Sequence, residues 1–540
     1  MKLTGERVQK AHVATQAAIA SVIVLMLIRI ILTRNTTSLG GGIISGPLDL
    51  LLIAFSFLCF GLEHALSGAT RALAGQRRYK DAVTTAKGLI LKGMIIGAAA
   101  GCLVILGSFF LRDALFTYSI SFLSYCTIGI AIVLMSVTGG ISGYLQGLGF
   151  KAVGLLSYII FDLVSLLVAL IASGSLSAYG EKVGRLLLRD DPAAGYGAFG
   201  GSLGFLAGAA CMLICLIVLQ SLRAAKIREF TRTGEQDARG EMLGVSRMAI
   251  YFGFVFGLPF ILQLSDEIIY RSMAARNHVK GDIISNWGMY SGMVMPFEWM
   301  IMGIAIIICL PGVYSLCASI AHKDKQEAAS GILRGSRLLM TGLIPCSIFT
   351  MILAASILKG IFRTPSDDVV AIVKYCAPLI VTIPAAFLSN SILLRLRAFR
   401  AVLINLLTGA LVHYIFAFVL SGPLKAEIAF APLSQSICFA LIALMAYIEI
   451  SGMLRARPSI VRVILVPLVC SLVAGLAVFG LDLFLPELIG EVLTILVCAV
   501  IGGFLYILFM LIMRGIDEYE VESIPGASFI VLIARGFHLI

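Results

Sequence analysis

The amino-acid sequence predicts an all-α polytopic membrane protein of about fourteen transmembrane helices. Three observations carry that prediction. Hydrophobic side chains make up 59% of the 540 residues and charged ones only 13%, where a soluble domain holds about 45–50% and 25%. The mean hydropathy is +1.01, and apolar runs long enough to cross a bilayer recur from end to end. Basic residues collect on alternate connectors, as they do when loops are sorted between two aqueous faces. The 41 Lys and Arg exceed the 30 Asp and Glu by 11. In a membrane protein that excess marks cytoplasmic loops and anionic headgroups rather than a nucleic-acid partner.

A hydrocarbon core about 30 Å thick needs roughly 20 apolar residues in a helix. On that criterion the spans fall at 12–33, 47–70, 86–111, 120–147, 152–175, 197–222, 245–270, 287–315, 333–358, 369–394, 400–421, 427–453, 461–485 and 488–513. Pro259, Pro311, Pro345 and Pro384 lie inside spans, where neighbouring helices can satisfy the backbone groups a proline frees. The polar, basic start (Met1 to His12) precedes a full-length span with no small-residue cleavage site after it, which reads as a retained helix. With both termini cytoplasmic, 27 basic residues face the cytoplasm and 12 the outside, with Arg29 and Lys92 inside spans. All twelve cysteines lie in or beside apolar runs without metal-site spacing, as expected of small buried hydrophobes in a reduced membrane interior.

The connectors repeat. Arg71-Ala-Leu-Ala-Gly-Gln-Arg-Arg-Tyr-Lys-Asp-Ala82 follows span 2, and Cys317-Ala-Ser-Ile-Ala-His-Lys-Asp-Lys-Gln-Glu-Ala328 follows span 8. They share Ala72/Ala318 and Ala82/Ala328, with like charges at Arg77/Lys323 and Asp81/Glu327. Phe150-Lys-Ala-Val153 and Phe399-Arg-Ala-Val402 are likewise six spans apart. The pattern predicts two six-helix lobes of one orientation, related by a pseudo-twofold along the membrane normal. The expected domains are 1–222, a cytoplasmic linker at 223–244, 245–453, helices 13 and 14 at 454–513, and a cytoplasmic tail at 514–540. Two such lobes can enclose a cleft that opens to either side, which is the geometry of a transporter.

Ionisable groups inside the bilayer cost roughly 2.5–3.5 kcal/mol on insertion scales, so they face a cavity or a partner. Asp162 and Glu298 lie about ten residues into spans 5 and 8, near mid-membrane at about 1.5 Å per residue. Arg29, Asp266 and Glu267 lie within about a turn of the outer face. Glu63 and His64 are adjacent in span 2 and could carry a coupling proton. Lys92 and Glu449 read as inner-face anchors and His413 as a packing histidine, while Asp190-Asp191 and Asp367-Asp368 read as helix caps. No nucleophile, metal or phosphate-loop motif is present. The longest connectors, 176–196 and 223–244, are too short for a catalytic domain, so the sequence does not predict an enzyme.

Several segments resemble a known group. Gly61-Leu-Glu-His-Ala-Leu-Ser67 with the following basic connector, Gly143-Tyr-Leu-Gln-Gly147, Gly197-Ala-Phe-Gly-Gly-Ser-Leu-Gly204 and the tail Gly515-Ile-Asp-Glu-Tyr-Glu-Val-Glu-Ser-Ile-Pro525 are similar to the stage V sporulation protein B-like group. That group belongs to the multidrug/oligosaccharidyl-lipid/polysaccharide (MOP) exporter superfamily. The resemblance implies a bacterial cytoplasmic-membrane flippase for undecaprenyl-pyrophosphate-linked oligosaccharide, as in lipid II flippases, with spans 13 and 14 offering a groove for the lipid tail. It implies no cofactor beyond a coupling H⁺ or Na⁺, and partners limited to the lipid-linked substrate and membrane lipids. A monomer is the simpler expectation, because the lobes would bury each other. Arg29 and Arg34 would attract the headgroup; with Asp162 and Glu298 they are the substrate-binding candidates. Glu63, His64, Asp266 and Glu267 are the ion-coupling candidates. The chain departs from the group where Arg395-Leu-Arg397 replaces a second Gln-Gly. Its acidic midplane candidates equally suit a cation-coupled multidrug exporter.

Overall fold

The computed structural model describes residues 13–110, 121–150, 152–233, 241–277, 282–321, 325–363, 367–454 and 461–515. Residues 1–12, part of the 223–244 linker and the tail from 516 onward lie outside them, and with them most of the acidic C-terminal motif. The described residues are helical and contain no strand. Thirteen helices among them are long and apolar enough to cross a bilayer.

The first of the thirteen, Thr15–Gly75, runs for 61 residues and accounts for two crossings. A straight helix of that length would measure about 90 Å, three times the hydrocarbon thickness. At Thr37 the backbone leaves the helical region (φ 65, ψ 174). Arg29 and Asp49 would stand about 30 Å apart along a straight helix, yet their charged groups meet at 2.8 Å. The chain therefore reverses at Thr37, giving spans 1 and 2 and fourteen crossings among the described residues.

Span 2 continues through a π-turn, Phe55–Gly61, into Leu62–Gly75. Span 3 is Tyr79–Phe110, and span 4 is Ser121–Met135 with Thr138–Gly147. Spans 5 and 6 are Ala152–Leu187 and Asp191–Leu222. The predicted outer connector at 176–196 is thus mostly helix, and only a tight turn separates the two. Small residues make this possible: a Cβ at Gly180 would lie 2.5 Å from the Pro192 carbonyl, and one at Gly204 2.5 Å from the Ala169 backbone. The two helices pack along their whole length. Asp190 occupies the cap position without a side-chain capping bond, and Asp191 instead pairs with Arg189 at 2.8 Å.

The linker contributes a short helix, Ala224–Thr233. It folds onto the first-half connectors, with Phe230 stacked on Tyr79 at 5.1 Å and Arg223 over the Phe150 ring at 5.2 Å. Span 7 is Glu241–Asn277. Span 8 comprises Ile283–Met289, a π-turn at Tyr290–Val294, and Met295–Ala321. Span 9 is Lys325–Ile352, and span 10 is Asp367–Cys376 with Leu379–Arg395. Spans 11 and 12 are Phe399–Ser421 and Phe430–Leu454. Span 13 is Val461–Leu465 with Val466–Ile489, and span 14 is Glu491–Ile512.

Large apolar side chains such as Leu103, Ile171, Leu407, Leu476 and Val500 point outward, while Arg29, Asp49, Glu63, Asp266, Glu267, Glu298 and His413 are buried. That is the distribution a lipid solvent requires. Spans 1 and 2 pack against spans 4 to 6 and also against spans 7 and 8, whereas span 13 packs on spans 9 and 14. The seam where spans 1 and 2 meet spans 7 and 8 carries most of the polar groups described next.

Candidate functional site

One polar network closes the end of that seam nearest the reversal at Thr37. Arg29, on span 1, donates from one terminal nitrogen to Asp49 and from the other to Ser45, each at 2.8 Å. Ser45 in turn donates to Glu267 Oε2 at 3.0 Å and accepts from Trp287 Nε1 at 3.0 Å. Glu267 pairs with Arg271 one turn later on span 7, and Ser38 bonds Ser285 across the seam. Both members of the Arg29–Asp49 pair are essentially inaccessible. Two of the sequence-predicted residues, Arg29 and Glu267, are therefore brought together through Ser45. Arg34 is exposed on the same end.

A second cluster closes the opposite end, the face that carries the connectors at 76–78 and 396–398. His64 on span 2, Thr15 on span 1, Tyr314 on span 8 and Arg395 at the end of span 10 converge there. Arg395 donates to His64 Nε2 at 2.7 Å. A guanidinium has donors only, so His64 Nε2 must accept, and its ring proton sits on Nδ1, which donates to Thr15 Oγ1 at 3.2 Å. Thr15 also bonds the Tyr314 hydroxyl at 2.9 Å. The Arg395 guanidinium carbon lies 3.6 Å from the centroid of the Tyr314 ring, a cation–π contact. Arg71, exposed at the rim, is close enough for its charge to act on His64 and Arg395.

Two further acids are buried with full partners. Glu63 accepts from Gln146 Nε2 at 2.7 Å and from the Tyr158 hydroxyl at 2.9 Å, joining spans 2, 4 and 5. Glu63 and His64 are neighbours in sequence but a helix turns about 100° per residue, so they serve different clusters. Asp266 accepts from His413 Nε2 at 2.9 Å and from Gln435 Nε2 at 2.8 Å, joining spans 7, 11 and 12. Replacing Glu63 with Ala leaves the buried Tyr158 hydroxyl and one of the two Gln146 Nε2 bonds without their acceptor, at about 1–3 kcal/mol for each unsatisfied group. Glu63→Ala should accordingly melt several degrees below the parent in detergent, and Glu63→Gln should recover most of the loss. Equal melting of the Ala variant and the parent would show that the bonds carry no stability.

The midplane candidates differ from each other. Asp162 on span 5 accepts from Ser21 on span 1 at 2.5 Å. Glu298 is fully buried, and neither of its carboxyl oxygens has a hydrogen-bond partner among the described residues. It follows the π-turn of span 8 directly, as Glu63 and His64 follow the π-turn of span 2. A π-turn adds a residue and offsets the face that follows, a feature often found at functional sites.

No family profile and no curated protein matches the chain. Solved structures do. A multidrug resistance MATE family transporter of the MOP superfamily, in its outward-facing conformation, superposes with TM-score 0.54 at 12% identity, over 84% of this chain and 99% of that one. A eukaryotic MATE transporter gives TM-score 0.58 at 11% identity, over 83% and 97%. The fold is that of the MATE transporters. A lipid II flippase in an inward closed conformation covers 91% of this chain and 99% of its own, at 12% identity and TM-score 0.49.

On this fold, the network around Arg29 and the cluster around His64 occupy opposite ends of one seam. Residues outside the sequence-predicted set complete both. Asp49 and Ser45 sit on span 2 at the depth that mirrors Arg29 across the reversal, which the sequence does signal once the hairpin is drawn. Arg395 is marked by the departure from the Gln-Gly motif. His413, read from sequence as a satisfied packing histidine, is buried and bonded to Asp266.

Proposed function

We propose that this chain is an alternating-access flippase of the stage V sporulation protein B-like kind. Its cargo is an oligosaccharide on undecaprenyl pyrophosphate, moved from the inner to the outer leaflet of a bacterial cytoplasmic membrane. The observation that carries the reading is the pair of polar closures at the two ends of the seam between spans 1–2 and spans 7, 8 and 10. Each is built from hydrogen bonds that can be exchanged for water, so either end can open while the other stays shut. The excess of basic connectors on the His64 face supports a cytoplasmic placement for that face. Two six-helix lobes supply the moving bodies, and the prenyl chain stays in lipid. Asp266, held by His413 and Gln435, is the leading coupling-ion candidate, for H⁺ or Na⁺.

The test is purified protein in liposomes carrying a fluorescent undecaprenyl-pyrophosphate-sugar in the inner leaflet, scored for exposure at the outer surface. Ser38→Cys with Ser285→Cys, in a background lacking the native cysteines, gives the decisive variant. Oxidation should hold the outer closure shut and stop exposure, and a reductant should restore it. Exposure unaffected by the crosslink would remove that closure from the cycle.

A second reading rests on Glu298. A buried carboxyl with neither oxygen bonded is suited to a cationic ligand, as a cation-coupled multidrug exporter requires. That reading predicts efflux of a cationic dye that Glu298→Gln abolishes, with no exposure of the lipid-linked sugar.

A further inference from the structure

Among the described residues, the His64 cluster is basic without an acid. Three groups that can carry positive charge, His64, Arg71 and Arg395, converge from spans 2 and 10. None of the three forms an ion pair with a carboxylate among the described residues. Glu63, the neighbour of His64, is committed to Gln146 and Tyr158. The rest of the lining is neutral: Thr15 and Tyr314 hydroxyls, and the rings of Phe60 and Phe252, 5.6 and 4.5 Å from the His64 ring centroid. Arg395 rests its charge on a neutral imidazole nitrogen and on the face of Tyr314, and its Nε is buried with no partner among the described residues.

The first half shows what a purely structural solution at this position looks like. Gln146-Gly-Leu-Gly-Phe150 aligns with Arg395-Leu-Arg-Ala-Phe399, so Gln146 and Arg395 occupy matching places. Gln146 is neutral, buried and bonded to Glu63 and Ser142. Arg395 is half-buried and lacks an anionic partner among the described residues. The guanidinium is left with donors to spare and no counter-ion among the described residues, and the fork of Arg395, with the nearby Arg71, is shaped for a tetrahedral oxyanion.

We infer that Arg395, Arg71 and His64 form an anion site at the cytoplasmic end of the seam, and that its ligand is a diphosphate group. On binding, the diphosphate takes over the Arg395 donors now given to His64 Nε2. That exchanges the direct bond joining span 2 to span 10 for contacts made through the anion, so the anion becomes part of the inner closure. The inference deepens the flippase reading by naming where the pyrophosphate is first held, but the site itself stands on its own geometry. The diphosphate can be the headgroup of a lipid or a free ion, and the two sources are separable.

The experiment titrates full-length protein in nanodiscs with inorganic pyrophosphate by calorimetry. Saturable binding to the parent is expected, weakened about tenfold or more in Arg395→Gln and in Arg71→Gln, with Arg395→Lys between the two. Size-exclusion profiles and melting temperature, read in parallel, establish that each variant is folded. Arg185→Gln, exposed in the last turn of span 5 on the opposite face, should bind as the parent does. No saturable binding, or affinities within twofold of the parent in both folded Gln variants, would overturn the site. Competition by undecaprenyl-pyrophosphate-sugar in the nanodisc assigns the ligand to a lipid headgroup, and binding without competition assigns it to the free anion. Pyrophosphate binding that depends on Arg395 in a protein that flips nothing in liposomes would refute the flippase reading while upholding the site.

Discussion

Asp49→Ala should cost about 3–5 kcal/mol of stability, the toll of leaving a buried guanidinium without its counter-ion. Arg29 and Asp49 are both buried to 0% exposure, so neither solvent nor salt can compensate. Ser45 would remain as a partner for one Arg29 nitrogen, but a hydroxyl does not neutralise the charge. The pair is imperfect even when intact, since Arg29 Nε and Asp49 Oδ2 have no bond. For that reason the double replacement Arg29→Met with Asp49→Leu should lose far less than either single change. Replacing buried pairs by well-packed apolar residues is often neutral or stabilising. Thermal unfolding followed by size-exclusion fluorescence would check all three variants. An Asp49→Ala protein that melts with the parent would mean that Arg29 escapes to water in the intact molecule.

Gly288→Val should block closure of the Thr37 end of the seam and reduce transport roughly tenfold or more, equivalent to moving the closing equilibrium by about 1.4 kcal/mol. A Cβ at Gly288 would lie 1.8 Å from the Ser38 carbonyl oxygen and 2.5 Å from the Gly42 nitrogen. Both obstacles are backbone, and they belong to the other side of the seam. The clash exists only while spans 1 and 2 lie against span 8, so the variant can fold with that end open. A Ser38→Cys probe should then react faster with a membrane-impermeant maleimide. Gly174→Val is the matched control, because no atom lies within 4 Å of a Cβ there. Normal transport by Gly288→Val would show that the seam never closes as tightly in the working cycle.

The hydrophobic map was the most legible part of this molecule. Bilayer thickness imposes a length on every apolar run, so the spans were readable one by one, including spans 1 and 2, which form one helical run broken only at Thr37. What periodicity hid was helix beyond the membrane. Residues 176–187 lose their apolar character, yet Gly180 and Gly184 let the helix continue against Pro192 and Arg189. The candidate site was legible as a set of charges and illegible as a set of pairs. Burial cost picks out Arg29, Glu63, Asp266 and Glu298 wherever they occur. Their partners are fixed by tertiary packing: His413 is 147 residues from Asp266 and Arg395 is 331 from His64. Adjacency misled at Glu63-His64, where one helical step sends the two groups to different neighbours.

The reversal at Thr37 also bears on how the protein is made. Arg29 and Asp49 are only 20 residues apart in sequence, so both charges reach the membrane within two consecutive spans. Each alone would resist partition into lipid, at a cost of roughly 2.5–3.5 kcal/mol. Delivered together as a hairpin, they neutralise each other at 2.8 Å without waiting for any helix still to be translated. Spans 1 and 2 are thus suited to enter the bilayer as one unit, and a chain interrupted between them would present the insertion machinery with a bare arginine.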